Sequence, residues 1–256
     1  MVLNNYRHLL PRFVDGPINF LVKHKVTPNQ VSVIGFLISV AAAVTYAFPT
    51  VFLYNYVVIT SWFWWFWAGI PPILFFISAY FDVLDGGVAR KTNQVTKFGG
   101  FLDSTLDRIS DSITIMGLMY GNMIWPWNNA INNLLAFLAM GVSILISYTR
   151  SRAEVDGVVM KGIGFMERAE RVFYLLFAYI LEWAIFAIQK YWFPTTTPID
   201  WFYPVTFIIF LVLCIQTLWA RVSWAEKWLN NKMPEKVAEL LAAQKPSPPN
   251  VEENKK

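Results

Sequence analysis

The sequence predicts an all-α integral membrane protein with six transmembrane helices and an N-terminal juxtamembrane amphipathic helix. Three observations carry that expectation. The 256 residues are 56% hydrophobic and 17% aromatic, with a mean hydropathy of +0.42, far more apolar than a soluble domain. Six apolar runs, at about 31–54, 58–81, 101–124, 130–149, 172–189 and 203–220, each approach the ~20 residues that cross a bilayer core. Nineteen of the 21 Lys and Arg residues fall in the N-terminal segment, the 86–98 and 150–171 loops, and the stretch from Arg221 onward; Arg108 and Lys190 are the exceptions. Basic loops stay in the cytoplasm, so both termini and any site on that side are expected to face it, in a multi-pass protein of the cell membrane. The net charge of +4 reflects that bias, and no nucleic-acid partner is expected.

Residues 3–26 mix apolar side chains with Arg7, Arg12, Lys23 and Lys25, a pattern for a helix lying in the headgroup layer. The same residues interrupt the first segment too often for a cleavable signal peptide. Thr27-Pro28-Asn29-Gln30 follows, with Thr or Asn suited to cap the first span. Pro71-Pro72 should bend or loosen the second span. Trp62, Trp64, Trp65, Trp67, Trp125 and Trp127 suit the outer headgroup interface. Cys214 sits in an apolar run as a packing residue, and from Met233 the chain turns polar. The expected organisation is one membrane domain over 1–232 and a disordered tail over 233–256.

The informative stretch is 81–111, FDVLDGGVARKTNQVTKFGGFLDSTLDRISD. Asp82 and Asp85 are three residues apart at the end of one apolar run, and Asp103 and Asp107 are four apart at the start of the next. Each pair therefore shares a helix face. Gly86-Gly87 and Gly99-Gly100 are expected to bracket a tight connecting loop. Four ionised carboxylates at one point repel by about 4 kcal/mol per pair at 4 Å and an effective dielectric near 20. A hard cation removes that cost, and Mg2+ combines a few carboxylates with phosphate oxygens, so the pattern points to a Mg2+ or Mn2+ phosphate site. Asp111, one step further along that face, is expected to pair with Arg108 or a loop arginine.

The spacing D-x2-D-G-x2-A-R-x8-G-x3-D-x3-D is filled by Asp82, Asp85, Gly86, Ala89, Arg90, Gly99, Asp103 and Asp107. It resembles the signature of the CDP-alcohol phosphotransferases, membrane enzymes of phospholipid synthesis. That resemblance implies attack of an alcohol hydroxyl on the β-phosphorus of a CDP-lipid, with release of CMP. It further implies two Mg2+ or Mn2+ ions held by Asp82, Asp85 and Asp103, with Asp107 as general base and partial ligand, and a homodimer in a membrane of lipids. Gly86, Arg90 and Thr96 would contact the nucleotide. Asn29, Gln30 and Ser32 would do the same, or would simply cap the helix.

The 147–171 segment carries the acceptor signal, since arginine forks suit a dianionic phosphate. Its strings around Ser147–Glu154 and Glu167–Arg171, with Arg221 later, resemble the branch that uses inositol phosphate with phosphatidyl or archaetidyl lipids. Ser147, Arg150, Arg168 and Arg221 would then hold inositol 1-phosphate, while Arg152 and Arg171 could brace the site through Glu154, Glu167 and Glu170. The alternative is a loop that is basic only through topology. General resemblance favours CDP-archaeol over CDP-diacylglycerol as donor. Glycerol 3-phosphate and L-serine are the competing acceptors. A UbiA-type prenyltransferase lacks the glycine and arginine spacing, and a cation or proton transporter calls for carboxylates near the midplane.

Overall fold

The computed structural model describes residues 11–53, 62–160, 162–192 and 201–230. Among these residues it contains seven helices: α1 (Pro11–Lys23), α2 (Pro28–Leu53), α3 (Trp62–Lys91), α4 (Lys97–Tyr120), α5 (Asn129–Val155), α6 (Arg168–Trp192) and α7 (Phe202–Leu229). Residues 3–10 of the expected amphipathic helix, the outer segment 55–57 and the polar tail lie outside the described residues, as do the side chains of Trp62, Trp64, Trp65 and Trp67.

Four helices are long and apolar enough to cross a membrane, over Pro28–Ala47, Gly69–Lys91, Asn129–Val155 and Phe202–Leu229. α4 and α6, at 24 and 25 residues, are also long enough to cross, but charge interrupts their apolar surface, with Asp103, Asp107, Arg108 and Asp111 on α4 and Arg168, Glu170 and Arg171 on α6.

The helices overrun the apolar runs. α3 continues ten residues beyond Phe81, so Asp82, Asp85, Gly86 and Gly87 are helical and do not stand in a loop. The expected glycine-bracketed loop is corrected to a short link over 92–96, turned by Asn93 at φ 54°. Hydropathy marks where side chains leave the hydrocarbon, whereas the hydrogen-bonded ladder ends only where the backbone stops it. α3 also runs unbroken through Pro71 and Pro72.

Local chemistry sets the helix starts. Thr27 and Gln30 form a reciprocal box: the Thr27 N–H donates to Gln30 Oε1 at 2.9 Å, and the Gln30 N–H donates to Thr27 Oγ1 at 3.4 Å. Pro28 takes the first helical position, where no N–H is needed. Thr96 Oγ1 accepts from the Gly99 N–H to start α4, and Asn128 Oδ1 accepts from Ala130 and Ile131 to start α5.

α2 packs against α3 and α4, α5 against α4 and α7, and α6 against α7 and α3. The main core joins Tyr46 of α2, Ile115 and Leu118 of α4, Ile146 of α5, and Phe207, Phe210 and Cys214 of α7. At Gly117 a Cβ would lie 2.4 Å from the Ala43 carbonyl oxygen, so α2 and α4 touch backbone to backbone. Gly87 plays the same part for α1, whose Ile18 Cδ1 stands 2.2 Å from where a Cβ would be. Ile18 is buried against Val31, Leu84 and Val88, which anchors α1 to the ends of α2 and α3. At the opposite end, Trp125, Trp127 and Trp201 cluster, with Trp127 and Trp201 ring centroids 4.0 Å apart.

Gly117→Ala forces α2 and α4 apart at the contact that sets their spacing. It is expected to destabilise the protein by about 1–3 kcal/mol, the usual cost of overpacking, read as a lower thermal midpoint in detergent. An unchanged midpoint would show that the helices separate freely there.

Candidate metal and phosphate site

The inner ends of α3 and α4 and the start of α6 converge. One oxygen each from Asp82, Asp85 and Asp103 lies within 4.8 Å of the others. Asp85 is held in place: Ser32 of α2 donates its hydroxyl to Asp85 Oδ2 at 2.6 Å, and the Gly86 N–H donates to Oδ1. The cleft around them, about 20 Å³ and lined also by Gly35, Ser78, Leu106 and Ser110, is on the scale of one water or ion.

Arg168 faces this group from α6. It donates to Asp82 Oδ2 at 2.8 Å and to Asp107 Oδ1 at 2.7 Å, with Asp111 Oδ1 3.8 Å from its Nε. One guanidinium against Asp82, Asp85, Asp103 and Asp107 leaves a formal excess of about three negative charges. A hard divalent cation complements that oxygen-only donor set, so the residues fit the expected ion.

Beyond Arg168 lies a second cavity of about 380 Å³, lined by Asp107, Arg108, Asp111, Ser147, Arg150, Glu154, Glu167, Arg168, Arg171 and Arg221 among others. Asp107 and Arg168 also line the cleft, so that pair forms the wall between the two spaces.

A sequence model of the CDP-alcohol phosphatidyltransferases matches residues 25–234. The chain belongs to that family. Over 153 residues, 60% of this chain and 69% of the relative, it is 39% identical to the archaetidylinositol phosphate synthase of Pyrococcus horikoshii. It is 35% identical to the phosphatidylinositol phosphate synthase of Mycobacteroides abscessus over 170 residues, 66% of this chain and 69% of that one. The crystal structure of Mycobacterium tuberculosis phosphatidylinositol phosphate synthase with CDP-DAG bound superposes with a TM-score of 0.64 at 25% identity, covering 84% of this chain and 94% of that one. The protein is therefore a membrane-embedded CDP-alcohol phosphatidyltransferase, and the prenyltransferase and transporter readings fall away.

Within the transferase, three of the four signature aspartates share one point, while Asp107 turns to Arg168. Ser32 contacts Asp85, which gives it a direct hold on a candidate ligand. Gln30 and Thr96 serve as helix caps, the alternative left open for Gln30. Asn29 reaches α4, its Oδ1 3.3 Å from where a Cβ on Gly99 would sit. Arg90 folds back over Gly86 and is exposed.

The arginines of the cavity differ in their bonds. Arg150 pairs with Glu154 at 3.0 Å. Arg221 is 2% exposed; its Nε donates to the Ile163 carbonyl and its Nη1 to the Ile146 carbonyl, leaving Nη2 towards Glu167 at 3.8 Å. Ser147 Oγ donates to the Ser143 carbonyl. The bracing expected of Arg152 and Arg171 is corrected: Arg152 pairs with Asp156 of its own helix, and Arg171 with Asp111 at 2.7 Å. Asp111 thus finds the cation expected of it, on α6. Sequence reasoning missed Arg108 as a cavity residue. The signal was there, because an arginine inside an apolar run and beside an acid needs a reason.

Asp103→Asn replaces one of three carboxylates of the cluster with a neutral amide and should weaken Mn2+ binding by at least about 100-fold in calorimetry. Ser32→Ala only frees Asp85 to rotate and should cost about 10-fold, the lower end for outer-shell partners. Equal effects would show that Ser32 does not orient Asp85.

Proposed function

We propose that this protein transfers a phosphatidyl or archaetidyl group from a CDP-lipid to a hydroxyl of inositol 1-phosphate, releasing CMP. The observation that carries the reading is the shared wall: Asp107 and Arg168 stand between a carboxylate cleft suited to a metal-bound diphosphate and an arginine-lined cavity suited to a phosphorylated alcohol. Donor and acceptor can then meet at Asp107. The Pyrococcus horikoshii relative, with the highest identity reported above, supports CDP-archaeol as donor.

Asp82, Asp85 and Asp103 would hold Mg2+ or Mn2+, with Asp107 beside them for a second ion. When bound, the metal neutralises the diphosphate and the charge that develops on the leaving CMP. The chain's own residues do the rest. Asp107 accepts the hydroxyl proton as the acceptor oxygen bonds to the β-phosphorus and the bond to CMP breaks. Arg168 donates to Asp107 Oδ1 and holds that carboxyl at the wall until the acceptor arrives. Asn29, Gln30, Gly86, Arg90 and Thr96 lie at the mouth of α2, α3 and α4, on the side from which a nucleotide would approach.

Ser147, Arg150, Arg168 and the Nη2 of Arg221 form the acceptor phosphate set. In this reading α4 and α6 also cross the bilayer, making six spans. Most of their charges lie in the turns nearest the site, Glu182 and Lys190 of α6 excepted, and the site together with both termini faces the cytoplasm. One membrane domain covers 1–232, and two copies form a homodimer.

The test is CMP release by purified protein given CDP-archaeol or CDP-diacylglycerol, with inositol 1-phosphate, glycerol 3-phosphate or L-serine. Turnover is expected with the first acceptor; turnover with another and none with inositol 1-phosphate would overturn the choice. Asp107→Asn should lower turnover by at least about 100-fold, the scale of general-base catalysis, while CDP-lipid still binds. Retained activity would remove Asp107 as base.

A further inference from the structure

Five arginines line the 380 Å³ cavity, and four are matched by carboxylates: Arg150 by Glu154, Arg168 by Asp107, Arg171 by Asp111 and Arg221 by Glu167. Arg108 stands apart. Among the described residues, no carboxylate oxygen lies within 4.0 Å of its guanidinium. Its bonds go to neutral oxygens, from Nη1 to the Ser104 carbonyl at 2.5 Å and from Nη2 to Ser151 Oγ at 3.0 Å.

The Ser151 bond ties α4 to α5, the Ser104 bond stays within α4, and together they use two of the five N–H donors that a guanidinium carries. A neutral amide could make the same tie. The charge of Arg108 is therefore surplus to its packing role, and burying part of it at the inner end of a membrane helix is costly without an anionic partner. The cavity lining as a whole holds five guanidinium groups against the carboxylates of Asp107, Asp111, Glu154 and Glu167. The excess positive charge resides on Arg108, one residue from the proposed base.

We propose that Arg108 binds the phosphate of the acceptor and sets the preference of the cavity for a phosphorylated alcohol over a neutral one. The proposal rests on the transfer reaction proposed above. The three donors left on its fork suit a tetrahedral dianion, and a phosphate taken up there enters beside Asp107. No carboxylate has to be displaced first, whereas at Arg150 or Arg168 an existing ion pair must open.

The experiment compares wild type, Arg108→Gln, Arg108→Lys and Ser151→Ala, measuring KM separately for acceptor and CDP-lipid. Arg108→Gln should raise the acceptor KM by about 10- to 100-fold, the range of a lost charge-assisted hydrogen bond, and leave the CDP-lipid KM within about twofold. Arg108→Lys should recover part of the loss. Ser151→Ala, which breaks the tie between α4 and α5 but keeps the charge, should raise the acceptor KM far less than Arg108→Gln. An unchanged acceptor KM in Arg108→Gln, an equal rise in both KM values, or a Ser151→Ala effect matching Arg108→Gln would each overturn the proposal. If the wild type uses glycerol 3-phosphate and not inositol 1-phosphate, the acceptor identity fails alone, and the same comparison on glycerol 3-phosphate decides Arg108. Turnover with serine alone overturns both.

Discussion

Carboxylates crowded at the edge of a low-dielectric slab are the constraint on which this structure depends. Asp82, Asp85 and Asp103 approach within 4.8 Å, a spacing at which unscreened repulsion costs several kcal/mol. Helix packing has to hold them there, with Arg168 offsetting part of the charge. α2 supplies the means, since it is the helix against which both α3 and α4 pack. The Gly117 contact with Ala43 brings α4 in, and Ser32 on the same α2 fixes Asp85. One helix thus sets both the distance between the acidic helices and the orientation of a candidate ligand carboxylate.

Arginine distribution answers the acidic cluster. Arg168 and Arg171 begin α6, one turn apart, and reach acids of α3 and α4. Arg171 with Asp111 is a deep pair, 4% and 13% exposed at the side chains. Its role is to lock the start of α6 against α4, because either partner left alone would be a buried uncompensated charge. Arg168 is more open, at 34%, and shares itself among several acids. An arginine whose helix is locked from behind by Arg171, yet which is able to trade partners in front, suits the proposed position between the cleft and the cavity.

Asp82, Asp85 and Asp103 were legible as a cluster because chemistry dictates spacing: acids that must meet at one point keep their residue intervals whatever the surrounding packing, whereas the turn of Asp107 towards Arg168 depends on where α6 packs. The acidic faces, the capping by Thr27 and the burial of Cys214 followed from equally local rules. The helix ends did not. Apolar runs report the hydrocarbon layer, and nothing in 82–91 marks where α3 stops until Asn93 turns the chain. Partner choice among the arginines was also hidden, since Arg171 finds Asp111 sixty residues away only after α6 has packed beside α4. Arg152 was assigned a bracing role on proximity in sequence, but an acid one helical turn on, Asp156, lies nearer.

The use of arginine over lysine at the wall between cleft and cavity can be decided on geometry. Arg168 bonds Asp82 and Asp107 through different nitrogens at 2.8 and 2.7 Å while its Nε faces Asp111. A lysine ammonium is a single point of charge on a flexible stem, without the planar fork that presents separate nitrogens to acids on two helices at a fixed spacing. The planar fork therefore does more than balance charge. It measures the distance from α3 to α4 at the height of the proposed base, so the separation between Asp82 and Asp107 is set by one rigid group anchored on a third helix.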